Sequence, residues 1–309
     1  MTPSKPILFF GNERLATGVS TNTPIIKALV SNGYKIAAVI IPPNQSFRSS
    51  RKAPKSEIAS AAAQFNIPLL EIAQLKNSLP QLKQYDAQVG VLAAYGKMVP
   101  QAVIDLFRFG IINIHPSLLP QHRGPTPIES AILNGDSETG VSLMQLVSEM
   151  DAGPLFDQVS VKLTGTEDKQ GLADHLGEIG AKRLTTLLPQ ILTSILKPLA
   201  QSGVVSYDKR LESTLSSIDL NIPAQALERA IRAYKGWPRS RLDIDGNSLI
   251  ITAAHVETAD LGRPGQIKVY DGSIALTTPK DLLIIDRLIP AGSKEMSSQA
   301  YLLGRPLSN

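Results

Sequence analysis

Two short apolar runs near the start of the chain, at residues 6–10 and 35–41, constrain the fold more than any other local feature. Strands that are apolar almost throughout are typical of parallel sheets, which helices cover on both faces. Residues 21–33 lie between the two runs and predict a helix, with Thr23 as its N-cap and Pro24 at the first helical position. The order strand, helix, strand therefore predicts a parallel α/β sheet.

The first turn of such a sheet often binds a dinucleotide, but this chain lacks the glycine pattern for it. Gly11 is followed by Asn12 and Glu13 instead of a Gly-x-Gly-x-x-Gly string, which disfavours a nicotinamide cofactor. Further strands are predicted at residues 67–70, 86–94, 111–115, 139–146 and 155–163, and helices at 56–65, 103–109, 125–133 and 166–196. We therefore expect a Rossmann-like parallel-sheet domain at residues 1–200.

The composition changes near residues 197–203, which indicates a linker to a second domain at residues 207–309. An amphipathic helix is predicted at 223–234, and Asp245-Gly246 and Asp271-Gly272 predict two-residue hairpin turns. Short strands are predicted at 241–244, 249–254, 265–269, 273–277 and 282–288. About five antiparallel strands of this length predict a small OB-like β-barrel, a fold that commonly holds oligonucleotides.

The composition also narrows the chemistry. The 309 residues include no cysteine, which excludes disulfides, thiolate metal sites and cysteine nucleophiles. With only four histidines, a structural zinc site is not expected. We find no signal-peptide core and no apolar run of membrane-spanning length, so we expect a cytoplasmic protein without a membrane partner. Nothing in the sequence requires more than a monomer.

The net charge of +4 is mild, but the basic residues are clustered. Arg48, Arg51, Lys52 and Lys55 lie in a polar, proline-punctuated stretch at residues 42–55 that contains no acid. A second acid-free cluster comprises Arg229, Arg232, Lys235, Arg239 and Arg241. A solvated charged surface explains either cluster alone, whereas two clusters on one chain favour a phosphate-bearing partner.

Two polar side chains, Asn113 and His115, interrupt the apolar strand predicted at residues 111–115. Residues two apart on a strand point to the same face. The carboxyl ends of strands in open α/β sheets are where ligands bind, and there a carboxamide can donate to an oxyanion while an imidazole moves a proton. A polar strand end whose side chains bond to the backbone is the other interpretation, and residue types alone leave both open.

The residues that follow narrow the choice. Residues 113–120 are Asn-Ile-His-Pro-Ser-Leu-Leu-Pro, Arg123-Gly124 comes next, and Asp151 follows a further predicted strand. This string resembles the central motif of the folate-dependent formyltransferases, which carry an Asn-x-His pair, Ser-Leu-Leu-Pro and a later aspartate that completes the site. Asn113, His115 and Asp151 match the three catalytic positions of that motif.

Other stretches are similar to the methionyl-tRNA formyltransferase family in particular. Residues 217–238, which end in Lys-Gly-Trp-Pro, resemble the start of that family's C-terminal domain, and residues 290–305 resemble its closing segment. Residues 93–100, Ala-Ala-Tyr-Gly-Lys-Met-Val-Pro, resemble its folate-side turn. The resemblance spans nearly all of the chain and implies a Rossmann-like formyl-transfer domain joined to an OB-like domain that helps to hold tRNA. The turn at residues 11–14 departs from the family's usual Gly-Thr-Pro.

The resemblance implies a reaction and a role for each matching residue. A formyl group would pass from 10-formyltetrahydrofolate, the co-substrate, to the α-amine of initiator methionyl-tRNA. Asn113 and His115 would stabilise the oxyanion, and Asp151 would hold His115 and relay protons. The residues implied for the folate site are Ser117, Leu118, Leu119 and Pro120, with Lys97 and Met98 at the pterin side.

The basic clusters complete the expected tRNA site. Arg48, Arg51, Lys52 and Lys55 would grip the acceptor stem, with Arg232 and Lys235 as further contacts; a solvated loop is the equal alternative for residues 48–55.

Two rival functions stay open at this point. One is a formyltransferase of the same fold that acts on an amino-sugar nucleotide, and the other is a non-catalytic RNA-binding protein. A metal site of His115, His122 and Asp151 is disfavoured because the spacing is not of the zinc type. His122 is interpreted as a loop residue without a catalytic role.

Overall fold

The computed structural model describes residues 6–12, 22–43, 56–259 and 262–307. The chain divides into two compact units, each with a sheet of its own. The N-terminal unit comprises Met1–Pro127, Glu138–Lys162 and Gly171–Lys209, and the C-terminal unit comprises Ile128–Ser137, Leu163–Gln170 and Arg210–Asn309.

Seven strands form the sheet of the N-terminal unit. They are β1 (Ile7–Phe10), β2 (Ile36–Ile41), β3 (Leu69–Glu71), β4 (Val89–Leu92), β5 (Ile111–His115), β6 (Glu138–Gln145) and β7 (Leu155–Lys162), in the order β3-β2-β1-β4-β5-β6-β7. Strands β1 to β5 are parallel, as expected of a Rossmann-like sheet, whereas β6 and β7 are antiparallel to their neighbours. The edge strand β7 has exposed residues in alternation, which antiparallel strands tolerate because one face can meet water.

Helices connect most of these strands. They are α1 (Asn22–Ser31), α2 (Glu57–Gln64), α3 (Leu79–Lys83), α4 (Gln101–Ile104), α5 (Pro127–Asn134) and α6 (Lys169–Leu192), of which α5 falls almost wholly in the C-terminal unit. Helix α1 begins one residue before Thr23, and the Thr23 hydroxyl has no hydrogen-bond partner among the described residues. The prediction that Thr23 is the N-cap is therefore wrong.

The middle of this sheet is fully buried, as the continuous apolar sequences of β1 and β4 predict. Phe10 packs edge-on against Tyr95 and Phe107, with ring centroids 5.8 and 6.0 Å away. Helix α6 approaches β5 closely at Gly180, where an added Cβ would lie 2.6 Å from Cγ2 of Ile114. Strand β5, which carries Asn113 and His115, is thereby held between packed layers.

Residues 197–203, where the sequence predicts a linker, are an ordered part of the N-terminal unit, which extends to Lys209. Leu199 pairs with Leu155 at the start of β7, and the N–H of each residue donates to the carbonyl of the other over 2.7 and 2.8 Å. The chain therefore passes along the N-terminal unit before it enters the C-terminal unit at Arg210.

An antiparallel sheet forms the C-terminal unit. Its strands are β8 (Ser240–Ile244), β9 (Asn247–Glu257), β10 (Ile267–Tyr270), β11 (Ser273–Thr277), β12 (Leu282–Pro290) and β13 (Met296–Ser297). The order is β10-β11-β12-β9-β8, with β13 beside β12. The sheet curls into an OB-like barrel. The barrel is partly open, because β8 and β10 do not pair with each other within the described residues.

Both predicted Asp-Gly hairpin turns are confirmed. Asp245 and Gly246 have φ of 49° and 76° between β8 and β9, and Asp271 and Gly272 have φ of 46° and 74° between β10 and β11. Positive φ at both central residues defines the type I′ turn, whose twist matches that of the strands it joins.

Two helices, α7 (Ala224–Ala233) and α8 (Ser298–Gly304), pack on this sheet. The buried face of α7 includes Leu227 and Ile231, which confirms the predicted amphipathic helix. Nearby, the Lys169 ammonium is buried 3.8 Å from the Glu129 carboxylate and donates to the carbonyl of Trp237 at 2.9 Å. Desolvation lowers the pKa of Lys169, and the charge of Glu129 opposes this shift.

Candidate active site

The polar pair on β5 lies in the interior of the N-terminal unit. Asn113 and His115 are 6% and 5% exposed. Asn113 pairs with Leu92 of β4 on one side and with Met144 of β6 on the other. Two polar side chains, two residues apart on a strand hydrogen-bonded on both sides, are held in fixed directions.

The His115 imidazole is oriented through both of its nitrogen atoms. Nε2 lies 2.9 Å from the carbonyl oxygen of His122. A carbonyl can only accept, so Nε2 carries the hydrogen of this bond. Nδ1 then faces the Asp151 carboxylate, with Oδ1 at 3.8 Å. The imidazole is thus fixed at one nitrogen and turned toward a carboxylate with the other.

Asp151 is held in place by a tight turn after β6. Its φ is 47°, its Oδ2 accepts from the backbone N–H of Gly124 at 2.8 Å, and Gln201 Nε2 donates to its carbonyl at 2.8 Å. The turn also needs Gly153, where an added Cβ would lie 1.8 Å from the carbonyl oxygen of Gln145. The bond from Gly124 leaves Oδ1 directed at His115.

The Asn113 carboxamide contrasts with its neighbours, because it has no hydrogen-bond partner among the described residues. A carboxamide at a strand end that no protein group engages is available to donate to or accept from a ligand. The structure therefore brings the three sequence-predicted catalytic residues into one region: a free carboxamide, an oriented imidazole and a carboxylate.

The loop at residues 116–126, which we call the site loop, contains four of the predicted folate residues. Ser117 is fully buried, and its hydroxyl donates to the carbonyl of Gln121 at 2.7 Å. Ser142 of β6 donates to the Ser117 carbonyl at 2.6 Å and accepts from the Leu119 N–H at 3.1 Å. The polar atoms of Ser117 and Leu119 thus shape the loop, whereas Leu118 is partly exposed.

Lys97 and Met98 lie in the turn that follows β4, and Met98 is 59% exposed. This turn is close to the one after β1, because a Cβ added at Gly96 would lie 3.6 Å from Nδ2 of Asn12. Strands β1, β4 and β5 are parallel, so these turns and His115 share one edge of the sheet.

The predicted tRNA contacts lie either outside the described residues or in the C-terminal unit, where they have acidic partners. Arg48, Arg51, Lys52 and Lys55 lie outside the described residues. In the C-terminal unit, the Arg232 guanidinium pairs with Glu228 and donates to the carbonyl of Glu167 at 2.6 Å, and Lys235 Nζ lies 2.8 Å from Oδ2 of Asp168. These two cations are therefore engaged within their own unit.

The sequence reasoning missed a set of polar partners at residues 199–209, which we call the connecting segment. Its Asp208 carboxylate lies 3.0 Å from Nδ1 of His122, and its Gln201 amide contacts both Asp151 and Arg123. His122, predicted as a loop residue, is indeed in the site loop, but it is buried and paired. Because 86 residues separate His122 from Asp208, no local pattern points to this contact.

Two negative findings apply to the part of the chain that the structure describes. None of its helices has both the length and the apolarity needed to cross a membrane. No group of three or more His, Cys, Asp or Glu side chains there is arranged to hold a metal ion.

Comparison with protein families identifies the class. The model described as formyl transferase matches residues 15–188, and the model described as formyl transferase, C-terminal domain, matches residues 210–306. The chain therefore belongs to the formyl transferase family. Methionyl-tRNA formyltransferases from two strains of Chloroflexus aurantiacus are each 34% identical to it over 304 residues, which cover 96% of this chain and 96% of the relative.

Solved structures agree on the fold. HypX from Aquifex aeolicus in complex with tetrahydrofolic acid has a TM-score of 0.66 at 15% identity; the match covers 97% of this chain and 47% of HypX, so the chain spans about half of that protein. The N-formyltransferase from Helicobacter canadensis in complex with folinic acid and dTDP-3-aminofucose has a TM-score of 0.66 at 17% identity, covering 91% and 98% of the two chains. At these identities the likeness shows the fold alone.

Proposed function

We propose that this protein transfers the formyl group of 10-formyltetrahydrofolate to the α-amino group of methionine carried by initiator tRNA, for translation initiation. The observation that carries the proposal is the approach of the Asp151 carboxylate to the His115 imidazole on the strand that bears the unpaired Asn113 carboxamide. The similarity to methionyl-tRNA formyltransferases over 96% of the chain selects the acceptor.

The reaction exchanges one carbon–nitrogen bond for another. The amine nitrogen bonds to the formyl carbon, the carbonyl oxygen becomes an oxyanion, and the bond from that carbon to the folate nitrogen then breaks. Asn113 is suited to donate to the oxyanion, because it lies on a strand paired on both sides and its carboxamide is otherwise unpaired among the described residues. A donor prepared in this way needs no reorganisation when charge develops.

Proton transfer falls to His115 and Asp151 in this proposal. The attacking amine loses a proton and the departing folate nitrogen gains one, so the site must hold that proton between the two steps. Asp151 accepts it, either directly from the amine or from His115 Nδ1 through one water that spans their 3.8 Å separation, and the proton then passes to the folate nitrogen. The His122 carbonyl keeps Nε2–H of His115 occupied, so Nδ1 is the nitrogen that takes part. No covalent enzyme nucleophile is required.

The substrates are assigned to the two ends of the site. We place the folate along Ser117, Leu118, Leu119 and Pro120 of the site loop, with Lys97 and Met98 at its pterin side. We place the tRNA acceptor stem on Arg48, Arg51, Lys52 and Lys55, with Arg232 and Lys235 as further contacts. If Arg232 and Lys235 serve in this way, their present acidic partners must yield to phosphate.

The assembly and compartment follow from the same function. We infer a monomer, because nothing in the sequence requires a second subunit. Translation initiation takes place in the cytoplasm, so we place the protein there, with initiator methionyl-tRNA and the folate as its partners.

The test is formyl incorporation by the purified protein. With 10-formyltetrahydrofolate and charged initiator tRNA, we expect formylmethionyl-tRNA, and with the Asn113→Ala variant we expect almost none. A parallel reaction with a dTDP-amino sugar tests the rival acceptor. Formylation of the sugar alone would reassign the substrate, and tight tRNA binding without turnover would make this an RNA-binding protein.

A further inference from the structure

The connecting segment (residues 199–209) runs alongside the site loop and pairs with it through an isolated parallel bridge between Arg123 and Tyr207. The N–H of Arg123 donates to the carbonyl of Ser206 at 3.0 Å, and the N–H of Asp208 donates to the carbonyl of Arg123 at 2.7 Å. The N–H of Ser206 also donates to the carbonyl of Pro120 at 3.2 Å. These bonds join two stretches of backbone more than 80 residues apart in the sequence.

One end of this segment holds the group that orients His115. Asp208 binds Nδ1 of His122 through both carboxylate oxygens, at 3.0 and 3.2 Å, and the two side chains are only 9% and 11% exposed. The hydroxyl of Ser206 accepts from the N–H of His122 at 2.8 Å. His122 is thus fixed by side chain and backbone, and its carbonyl is the acceptor for Nε2–H of His115.

The other end holds the turn of Asp151. Gln201 Nε2 donates to the carbonyls of Asp151 and Gly153, both at 2.8 Å. Gln201 Oε1 accepts from Nη2 of Arg123 at 2.7 Å and from its Nε at 3.2 Å. The Gln201 amide therefore ties the Asp151 turn to the site loop. Arg123 also donates to the hydroxyl of Tyr207 at 3.0 Å.

We propose that Asp208 and Gln201 are positioning residues for the catalytic pair: Asp208 acts through His122 on His115, and Gln201 acts on Asp151. Neither residue touches the reacting atoms. The proposal rests on the proposed function for the roles of His115 and Asp151, and it adds the connecting segment as a third element of the active site.

Positioning residues matter because an active site tolerates only small displacements of its catalytic groups. A misplacement of about 1 Å can cost about 100-fold in rate. His115 Nδ1 and Asp151 Oδ1 are already 3.8 Å apart, beyond a direct hydrogen bond, so further drift weakens the pair quickly. The two groups lie on separate elements, β5 and the turn after β6, and the connecting segment contacts the neighbours of both.

The kinetic test compares four variants. Asp208→Ala removes the anchor of His122, whereas Asp208→Asn keeps a neutral acceptor for Nδ1–H. Gln201→Glu retains the contact with Arg123 but replaces the donating Nε2 with a carboxylate oxygen that repels both carbonyls. Asp286→Ala is the matched control, because His255 and Asp286 form an exposed pair at 2.8 Å in the C-terminal unit.

For Asp208→Ala and Gln201→Glu we expect kcat to fall by about 10- to 100-fold, with KM for the folate and for the tRNA within about threefold of wild type. Asp208→Asn and Asp286→Ala should keep kcat within about threefold. Equal kcat for wild type and Gln201→Glu, or a loss in KM alone, would overturn the proposal. Should Asp208→Ala not fold, Gln201→Glu decides by the same criterion.

A second readout does not need turnover. In ¹⁵N-histidine-labelled protein, the nitrogen shifts of the four imidazoles report which ring nitrogen carries hydrogen. We expect His115 to be an Nε2–H form in wild type and to become mixed in Asp208→Ala, while Asp286→Ala changes only His255. An unchanged His115 signal in Asp208→Ala would overturn the positioning role. A responsive His115 in a protein that forms no formylmethionyl-tRNA would instead overturn the proposed function.

Discussion

The site loop of the N-terminal unit and the hairpins of the C-terminal unit solve the same problem, a sharp change of chain direction, in different ways. The hairpins at Asp245-Gly246 and Asp271-Gly272 are closed by two adjacent residues with positive φ. The site loop is closed by partners such as Ser206 and Asp208, which are 84 and 86 residues away from His122. Local turns build the barrel, and distant contacts hold the groups that we assign to catalysis.

The two His–Asp pairs show the same contrast. His122 and Asp208 are nearly buried in the N-terminal unit, whereas His255 and Asp286 are 53% and 41% exposed in the C-terminal unit. Water competes for an exposed pair, so its net contribution to stability is small. A buried pair leaves an unsatisfied partner when one member is removed. Removal of the aspartate is therefore expected to destabilise the protein more at the buried pair than at the exposed pair.

The largest effect should come from the oxyanion donor. Asn113→Ala is expected to lower kcat by about 100- to 1000-fold, because one preorganised donor is lost where charge develops. Asn247→Ala, in the hairpin of the C-terminal unit, is the matched asparagine and should leave kcat unchanged. Steady-state formylation of charged tRNA measures both. A drop of less than about tenfold in Asn113→Ala would remove this residue from the oxyanion role.

Two glycines sharpen the comparison of turns. Gly124 has φ of 117°, and an added Cβ would lie 2.8 Å from the carbonyl oxygen of Asp208; Gly272 has φ of 74° and only Gln299 Cγ at 3.9 Å. We expect Gly124→Ala to cost about 2–5 kcal/mol, from strain and overpacking together, and to reduce kcat. Gly272→Ala should cost about 1–2 kcal/mol and leave kcat alone. Denaturant unfolding and formylation assays on both variants check this, and equal costs would refute the distinction.

A smaller change in stability is expected when the aspartate of either His–Asp pair is removed. Asp208→Ala should lower the free energy of unfolding by about 1–3 kcal/mol, since it leaves a buried imidazole N–H without its acceptor. Asp286→Ala should change it by less than about 1 kcal/mol, because the pair is exposed. Urea unfolding of the two variants beside wild type gives the difference. A larger cost for Asp286→Ala would reverse the assignment of the two pairs.

The smallest expected effect concerns pH in the C-terminal unit. Burial acts to raise the pKa of Glu167, but hydrogen bonds from Thr164 and Gly165 outweigh it, so the pKa is lowered from 4.5. A carboxyl whose folded pKa lies below the unfolded value stabilises the fold above the unfolded pKa and loses this contribution as the pH falls through the folded pKa. Glu167→Gln should therefore flatten the acid side of the stability curve, by less than about 1 kcal/mol. The exposed Glu257→Gln is the control, and identical curves for Glu167→Gln and wild type would contradict the prediction.

Several features follow from the sequence because they depend on neighbouring residues. The buried runs of β1 and β4, the amphipathic helix α7 and the two Asp-Gly turns arise from periodicity and backbone preference over a few residues, and all are present in the structure. The motif at residues 113–120 predicts that Asn113 and His115 lie on a strand within the sheet. They do, because β5 pairs with β4 on one side and with β6 on the other.

The antiparallel edge at β6 and β7 and the bond from Arg232 to the Glu167 carbonyl were decided by tertiary packing, whereas the Arg232–Glu228 pair is a local i,i+4 contact within α7. Residues 197–203 have the composition of a linker, yet they belong to the N-terminal unit because Leu199 pairs with Leu155 and Gln201 bonds to Arg123 and to the Asp151 turn. Sequence alone therefore determined which residue types stand at the strand end. Only the tertiary structure determined what holds them there, because hydrogen bonds across more than 80 residues leave no periodic trace in a chain.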